Sequence, residues 1–109
     1  MPDQEPREAL AQRIRQALSE HGVVREKNMF GVLAFMVDER LVVAAGKDGS
    51  LLVRSKPADF DAMIERGAEQ AHMANGRSMG EGWLTVPAAQ LPDDAELAFW
   101  IDTGLAARP

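Results

Sequence analysis

The sequence predicts a two-layer α+β domain, with three helices on one side of an antiparallel sheet of about five strands. Hydrophobic residues recur at helical spacing near both ends of the chain and once in between. Short apolar runs separated by turn residues fill residues 23–53 instead, a pattern typical of strands. The connections between these runs are too short for parallel crossovers, so the order of elements is roughly α-β-β-β-β-α-β-α.

The first helix is predicted from Pro6 to His21. Leu10, Ile14 and Leu18 recur there at the spacing of one helix face. Proline suits the first turn of a helix, and Gly22 suits the left-handed position just beyond the last turn. The pattern indicates an amphipathic helix with a clear end.

Four strands of a meander are expected next, at Arg25 to Phe30, Val32 to Val37, Leu41 to Ala45 and Leu51 to Arg54. An ordinary two-layer sheet is apolar on one face only, yet residues 29–37 are apolar at odd and even positions alike. The second face of this sheet therefore needs a cover. Self-association about a twofold axis supplies one, so we expect a homodimer.

Helical spacing returns at Ser55 to Arg66, where Pro57 suits the first turn and Gly67 follows the end. The dipeptide Asn75-Gly76 then predicts a tight turn or a small hairpin, because both residues tolerate a positive φ. Trp83 to Val86 follow as the fifth strand.

The last predicted helix opens with a capping box formed by Asp93 and Glu96. Trp100 lies on its apolar face. Gly104 lies further along the same face, where the missing side chain permits close packing.

Composition limits the classes of function. A chain of 109 residues without cysteine fits one domain, residues 1–109, and excludes thiolate catalysis and thiolate metal sites. The net charge of −5 disfavours general binding to the phosphate backbone of DNA. The N-terminus lacks the layout of a signal peptide and no apolar run could span a membrane, so the expected location is the cytoplasm.

Basic side chains of the middle segment are the candidate contacts for a partner or an anion. They are Arg25, Lys27, Arg54, Lys56 and Arg77. Direct contact with DNA through these residues is one alternative, although surface pairing with carboxylates is the more ordinary role of such side chains.

No catalytic residue, metal site or cofactor is predicted. Glu69 and His72 have the Glu-x-x-His spacing of di-iron bundles, but such a site needs two of these motifs on long facing helices. Neither His21 nor His72 has a nucleophile or a second acid nearby in the sequence.

A small-molecule binder or enzyme is a further alternative. Its pocket would lie between the last helix and the sheet, lined by Met79, Trp83 and Trp100, with Arg77 as an anion anchor. Tryptophan as ordinary core filling competes with this interpretation.

Four stretches of the chain together resemble the N-terminal domain of the TfoX/Sxy family of bacterial competence regulators. They are "KNMFGVLAFMVDERLVVAAG", "LLVRSKPADFDAMI", "GRSMGEGWLTVP" and "LPDDAELAFWIDTGL". The elements that carry the resemblance are Met29, Phe30 and Gly31, then Leu52-Val53-Arg54, Gly76, Arg77 and Met79, Trp83, and Trp100. From their residue types alone, Met29 and Phe30 are more typical of core filling than of a ligand contact.

The resemblance implies a small domain similar to secretion chaperones in architecture, with no established catalytic chemistry. Full-length members of that family are linked to the transcription of DNA-uptake genes. The similarity does not extend to their C-terminal helical domain. The expected function is therefore that of a single-domain, non-enzymatic regulatory or protein-interaction module.

Overall fold

The computed structural model describes residues 6–19, 24–29, 32–46, 48–72, 76–80 and 82–107. The helices are α1 (Pro6–Ala17), α2 (Phe60–Arg66) and α3 (Asp94–Ala107). The strands are β1 (Val24–Met29), β2 (Val32–Val37), β3 (Arg40–Ala45), β4 (Leu51–Arg54), β5 (Glu69–Gln70) and β6 (Trp83–Val86). The predicted α+β class is confirmed, with one strand more than expected. None of the helices in these ranges is long and apolar enough to cross a lipid bilayer.

All six strands form one antiparallel sheet in the order β1-β2-β3-β4-β6-β5. The predicted meander of β1 to β4 is confirmed, and β6 corresponds to the expected fifth strand. The additional strand, β5, is only two residues long and pairs with Thr85 and Leu84. Both of its residues, Glu69 and Gln70, are polar, so no hydrophobic period marks it in the sequence.

The helix ends follow the predicted signals with small shifts. Leu18 and Ser19 form a turn after α1, and the expected end at His21 and Gly22 lies outside the described residues. Before α2, Pro57–Asp59 form a 3-10 turn, which shortens the α-helix. Gly67 ends α2 with a φ of 125°, a conformation that favours glycine.

The start of α3 is fixed by a side-chain cap. The backbone N–H of Glu96 donates a hydrogen bond of 2.9 Å to Oδ1 of Asp93, as the capping-box pattern predicts. The carboxylate of Glu96 lies 3.5 Å from the Arg66 guanidinium, which stacks 3.6 Å from the ring centroid of Phe99. These contacts place the end of α2 against α3.

The helices pack on one side of the sheet, called here the covered face. Strand alternation and register direct the following side chains to it: Leu33, Phe35, Val37, Val43, Ala45, Leu51, Val53, Leu84 and Val86. All of them belong to one hydrophobic core that also contains Ile14 of α1 and Trp100 of α3. Burial of this apolar surface is the main stabilising contribution to the fold.

A β-bulge in β3 changes the alternation on this face. Phe35 pairs with Val43 whereas Met36 pairs with Leu41, so Val42 is the extra residue and both valines are fully buried. A Cβ on Gly104 of α3 would lie 2.6 Å from the backbone oxygen of Val42. Only glycine allows this approach, so the predicted close packing is confirmed, with a strand as the neighbour.

Ion pairs join α1 to its neighbours. Nε of Arg15 lies 2.6 Å from Oε2 of Glu26 on β1, and a second pair within α1 places Nη1 of Arg15 3.0 Å from Oε1 of Glu8. The hydrogen bonds from Arg15 hold the pKa of Glu26 below its ordinary value. Arg13 pairs with Asp94 at 3.2 Å and so links α1 to the first turn of α3.

Candidate functional site: the open face of the sheet

The side of the sheet opposite the helices is the candidate functional site and is called here the open face. The strand registers place on it Arg25, Lys27, Val32, Ala34, Met36, Leu41, Ala44, Leu52, Arg54, Glu69, Trp83 and Thr85. None of these side chains belongs to the core cluster that contains Ile14 and Trp100 or to the partly buried residues packed against that cluster. The three described helices therefore leave this face to the solvent or to a partner.

Apolar side chains occupy the centre of the open face. Val32, Met36, Leu41, Leu52 and Trp83 are all partly exposed. The structure thus confirms that β2 and β3 are apolar on both of their faces. A sheet face of this kind is unusual for the solvent side of an antiparallel sheet, which is ordinarily polar.

The central alanines make the middle of the face compact. Ala34 pairs directly with Ala44 across β2 and β3, and both residues are fully buried. The accessible apolar surface is therefore contributed by the larger side chains around them.

Cations lie on two strands of the open face. Arg25 and Lys27 lie on β1, at one end of the strand order, and both are exposed. Arg54 on β4 stacks on the ring of Trp83, its direct neighbour on β6, at 5.5 Å from the ring centroid. This cation–π contact orients two side-chain types that are common at the energetic centres of protein interfaces.

The turn between β2 and β3 positions an acid beside this face. Asp38 and Glu39 have φ values of 53° and 69°, the left-handed conformations of a two-residue hairpin turn. In this position Glu39 accepts a hydrogen bond of 2.7 Å from Nη1 of Arg25, which raises the pKa of that guanidinium. Both side chains remain about two-thirds exposed, so the pair contributes little to stability.

The five candidate cations are only partly brought together. Arg25, Lys27 and Arg54 share the open face, whereas Lys56 is exposed just after β4 and Arg77 is exposed in the segment 76–80.

The residues that carry the family resemblance lie in several places. Met29 ends β1 opposite Val32, and Phe30 and Gly31 lie outside the described residues. Gly76 has a φ of 88° and is exposed, in keeping with a turn at this position, and Asn75 lies outside the described part. The backbone N–H of Met79 donates a 2.9 Å hydrogen bond to the oxygen of Ala71.

The prediction that Trp83 and Trp100 line one pocket between the last helix and the sheet is wrong. Trp100 points into the core on the covered face and is fully buried, with the ring of Phe99 edge-on at 5.0 Å. Trp83 belongs to the open face because its neighbour Leu84 points into the core. The sheet therefore lies between the two tryptophans, and they do not line one cavity.

Glu69 also lies on the open face, although it is not among the partner contacts predicted from the sequence. It is exposed on β5, at the opposite end of the strand order from Arg25 and Lys27. His72 follows in a bridge with Ser78, so the Glu-x-x-His spacing falls on extended chain and not on a helix. Within the described residues, no group of three His, Cys, Asp or Glu side chains could hold a metal ion.

Residues 16–108 match the family model of the TfoX N-terminal domain. The matched stretch contains all six strands, α2 and α3, and therefore the whole open face. No curated protein and no solved structure gives a significant match.

Proposed function

Because the chain belongs to the TfoX N-terminal domain family, we propose that it is a cytoplasmic, non-enzymatic regulatory module that acts by binding another protein through its open face. The observation that carries this proposal is the partly exposed apolar centre of that face. The link of full-length family members to DNA-uptake genes makes transcriptional control the process in which we expect the contact to matter.

The composition of the open face supports a protein contact. Tryptophan, methionine and arginine are enriched at protein interfaces, and Trp83, Met36 and Arg54 all lie on this face, with Arg54 stacked on Trp83. The charged residues Lys27 and Glu69 lie at its two sides. An apolar centre with charges at the rim is the usual anatomy of a specific interface.

Charge substitutions in the apolar centre test the proposal. Leu52→Glu and Met36→Glu place a carboxylate where a partner would exclude water, and this costs binding energy without removing a core side chain. In cells that normally express the chain, each variant should reproduce the transcript changes caused by deleting the gene. The matched control is Ala98→Glu, at an exposed position of α3 on the other side of the molecule.

Protein level and fold are measured alongside, by immunoblot and by thermal unfolding of the purified variants. Normal transcripts in cells that carry well-folded Leu52→Glu and Met36→Glu would overturn the proposal. The Ala98→Glu strain should resemble the wild type.

Direct contact with DNA is a second candidate function. Its support is that Arg25, Lys27 and Arg54 share one face of a chain whose net charge is −5. Fluorescence anisotropy of mixed-sequence duplex DNA, titrated with protein at low and then physiological salt, tests it. Binding that falls steeply with salt and weakens in Arg54→Ala and Lys56→Ala would support it, and no binding at low salt would exclude it for this chain.

A further inference from the structure

The open face has a charge gradient from one side to the other. Arg25 and Lys27 lie on β1, at one end of the strand order, and Glu69 lies on β5, at the other end. Neither Lys27 nor Glu69 takes part in an ion pair within the described part of the chain. Between them the face is mainly apolar, apart from Arg54 on β4, which stacks on Trp83. Two copies of this face are therefore complementary in charge when the strand order of one copy runs opposite to that of the other.

We propose that the open face binds the open face of a second copy of this chain, about a twofold axis that runs parallel to the strands. This inference rests on the proposed use of the open face and names its occupant. An axis in that direction reverses the strand order, so that β1 of one protomer lies over β5 of its partner. The cationic side of each face then meets the acidic side of the other.

Two pairs of residues that meet in this arrangement are chemically matched. At the sides, Lys27 faces the partner's Glu69, an oppositely charged residue. Towards the centre, Met36 on β2 faces the partner's Trp83 on β6, and sulfur–aromatic contacts of this kind are favourable. Stacked sheets lie about 10 Å apart, a gap that a lysine and a glutamate side chain can bridge together.

Charge also disfavours the other symmetric arrangements. A twofold axis perpendicular to the strands in the plane between the sheets places β1 over the partner's β1, so the cations of the two β1 strands meet. Pairing of the β1 edges around an axis normal to the sheet sets Glu26 opposite the partner's Glu26 and Arg25 opposite the partner's Lys27. Like charges placed opposite one another are destabilising in both cases.

The area of the open face predicts the affinity of the dimer. Six strands spaced about 4.8 Å apart span about 24 Å, and strands of this length extend about 13–20 Å. The outline area is therefore roughly 400 Å² per protomer, below the roughly 800 Å² per partner of a standard stable interface. We expect a dimer that dissociates on dilution.

Charge reversal at the two sides tests the proposal. In Lys27→Glu both contacts at the sides become acid against acid, and in Glu69→Lys both become cation against cation. Each variant alone should dimerise about tenfold or more weakly than the wild type. An equimolar mixture of the two variants restores opposite charges at both contacts, so a heterodimer of near wild-type affinity is expected. Sedimentation velocity across a concentration series measures all four samples.

Matched controls are Arg40→Glu and Glu65→Lys, which reverse exposed charges that lie off the open face. They should dimerise like the wild type. A wild-type protein that stays monomeric over the whole series, single variants that dimerise normally, or a mixture that stays monomeric would each overturn this arrangement. These results are independent of the transcript measurements. The dimer can therefore be disproved while the open face is still found to be necessary for regulation.

Discussion

The two faces of this sheet are built from the same strands, yet they differ in what covers them. On the covered face, large side chains such as Phe35 and Val53 are fully buried under α1 and α3. On the open face, the adjacent residues Met36 and Leu52 remain partly exposed. An apolar strand residue therefore does not by itself indicate a core position. Whether a helix lies over it decides whether it stabilises the monomer or is available for a partner.

The largest expected effect comes from a pair of neighbours on β2. Phe35→Ala removes a fully buried ring and should lower the free energy of unfolding by about 3–5 kcal/mol. Met36→Ala, one residue further and on the open face, should cost about 1 kcal/mol or less. Urea unfolding at low protein concentration, where any dimer is dissociated, measures both. Equal losses would mean that the two faces are equally covered.

The contact between α3 and the covered face gives the next largest effect. Gly104→Ala places a methyl group against the backbone of Val42, and we expect a net loss of about 1–3 kcal/mol. Helix propensity alone would give a gain of about 1 kcal/mol, so the sign of the change is diagnostic. The reverse substitution at an exposed position of the same helix, Ala98→Gly, should cost about 1 kcal/mol through propensity alone. A stabilised Gly104→Ala variant would contradict the close packing.

Acidification should lower the free energy of unfolding by weakening the ion pair that joins α1 to β1. The hydrogen bonds from Arg15 lower the pKa of Glu26 in the folded protein. The ionised carboxylate therefore stabilises the fold fully at pH values above the pKa of an unfolded glutamate, which is about 4.3. The contribution is lost as pH falls from there through the lower folded-state pKa. Glu26→Gln should therefore be less stable than the wild type at pH 7 and lose less stability on acidification. Urea unfolding at pH 7 and pH 3 measures this, with Glu65→Gln as the control.

The smallest expected effect is at the turn beside the open face. Glu39→Gly removes an exposed ion pair with Arg25 and relieves a left-handed φ of 69°. The two changes should leave stability unchanged or raise it by up to about 1 kcal/mol. Thermal unfolding measures this change, and Glu65→Gly within α2 should lose about 1 kcal/mol as the control. A clear loss in Glu39→Gly would show that the turn contact matters more than its exposure indicates.

Much of the fold was predictable because local signals mark it. Gly67, Asp93 and Gly104 act as a helix end, a helix cap and a close contact, and each was assigned from its residue type and position. β5 was not predictable because two polar residues carry no hydrophobic period. Its partner β6 was found from its four-residue pattern.

The candidate site was less predictable than the fold, because it depends on which face each residue occupies. Simple alternation in β3 would put Leu41 and Val43 on the same face, but the bulge at Val42 separates them. The sequence likewise does not separate the two tryptophans, because it is the register of β6 that places Trp83 on the open face. The apolar character of both faces of β2 was visible in the sequence.

The position of β6 between β4 and β5 has a consequence for the order of folding. On a ribosome that synthesises the chain from the N-terminus, β1 to β4 can pair as soon as they emerge, because each connection is short. β5 must wait, since among the described strands it pairs with β6. α1 is already available to cover part of the covered face, but the rest of that face stays exposed until α3 emerges, so during synthesis this part and the whole open face are accessible to other chains and chaperones.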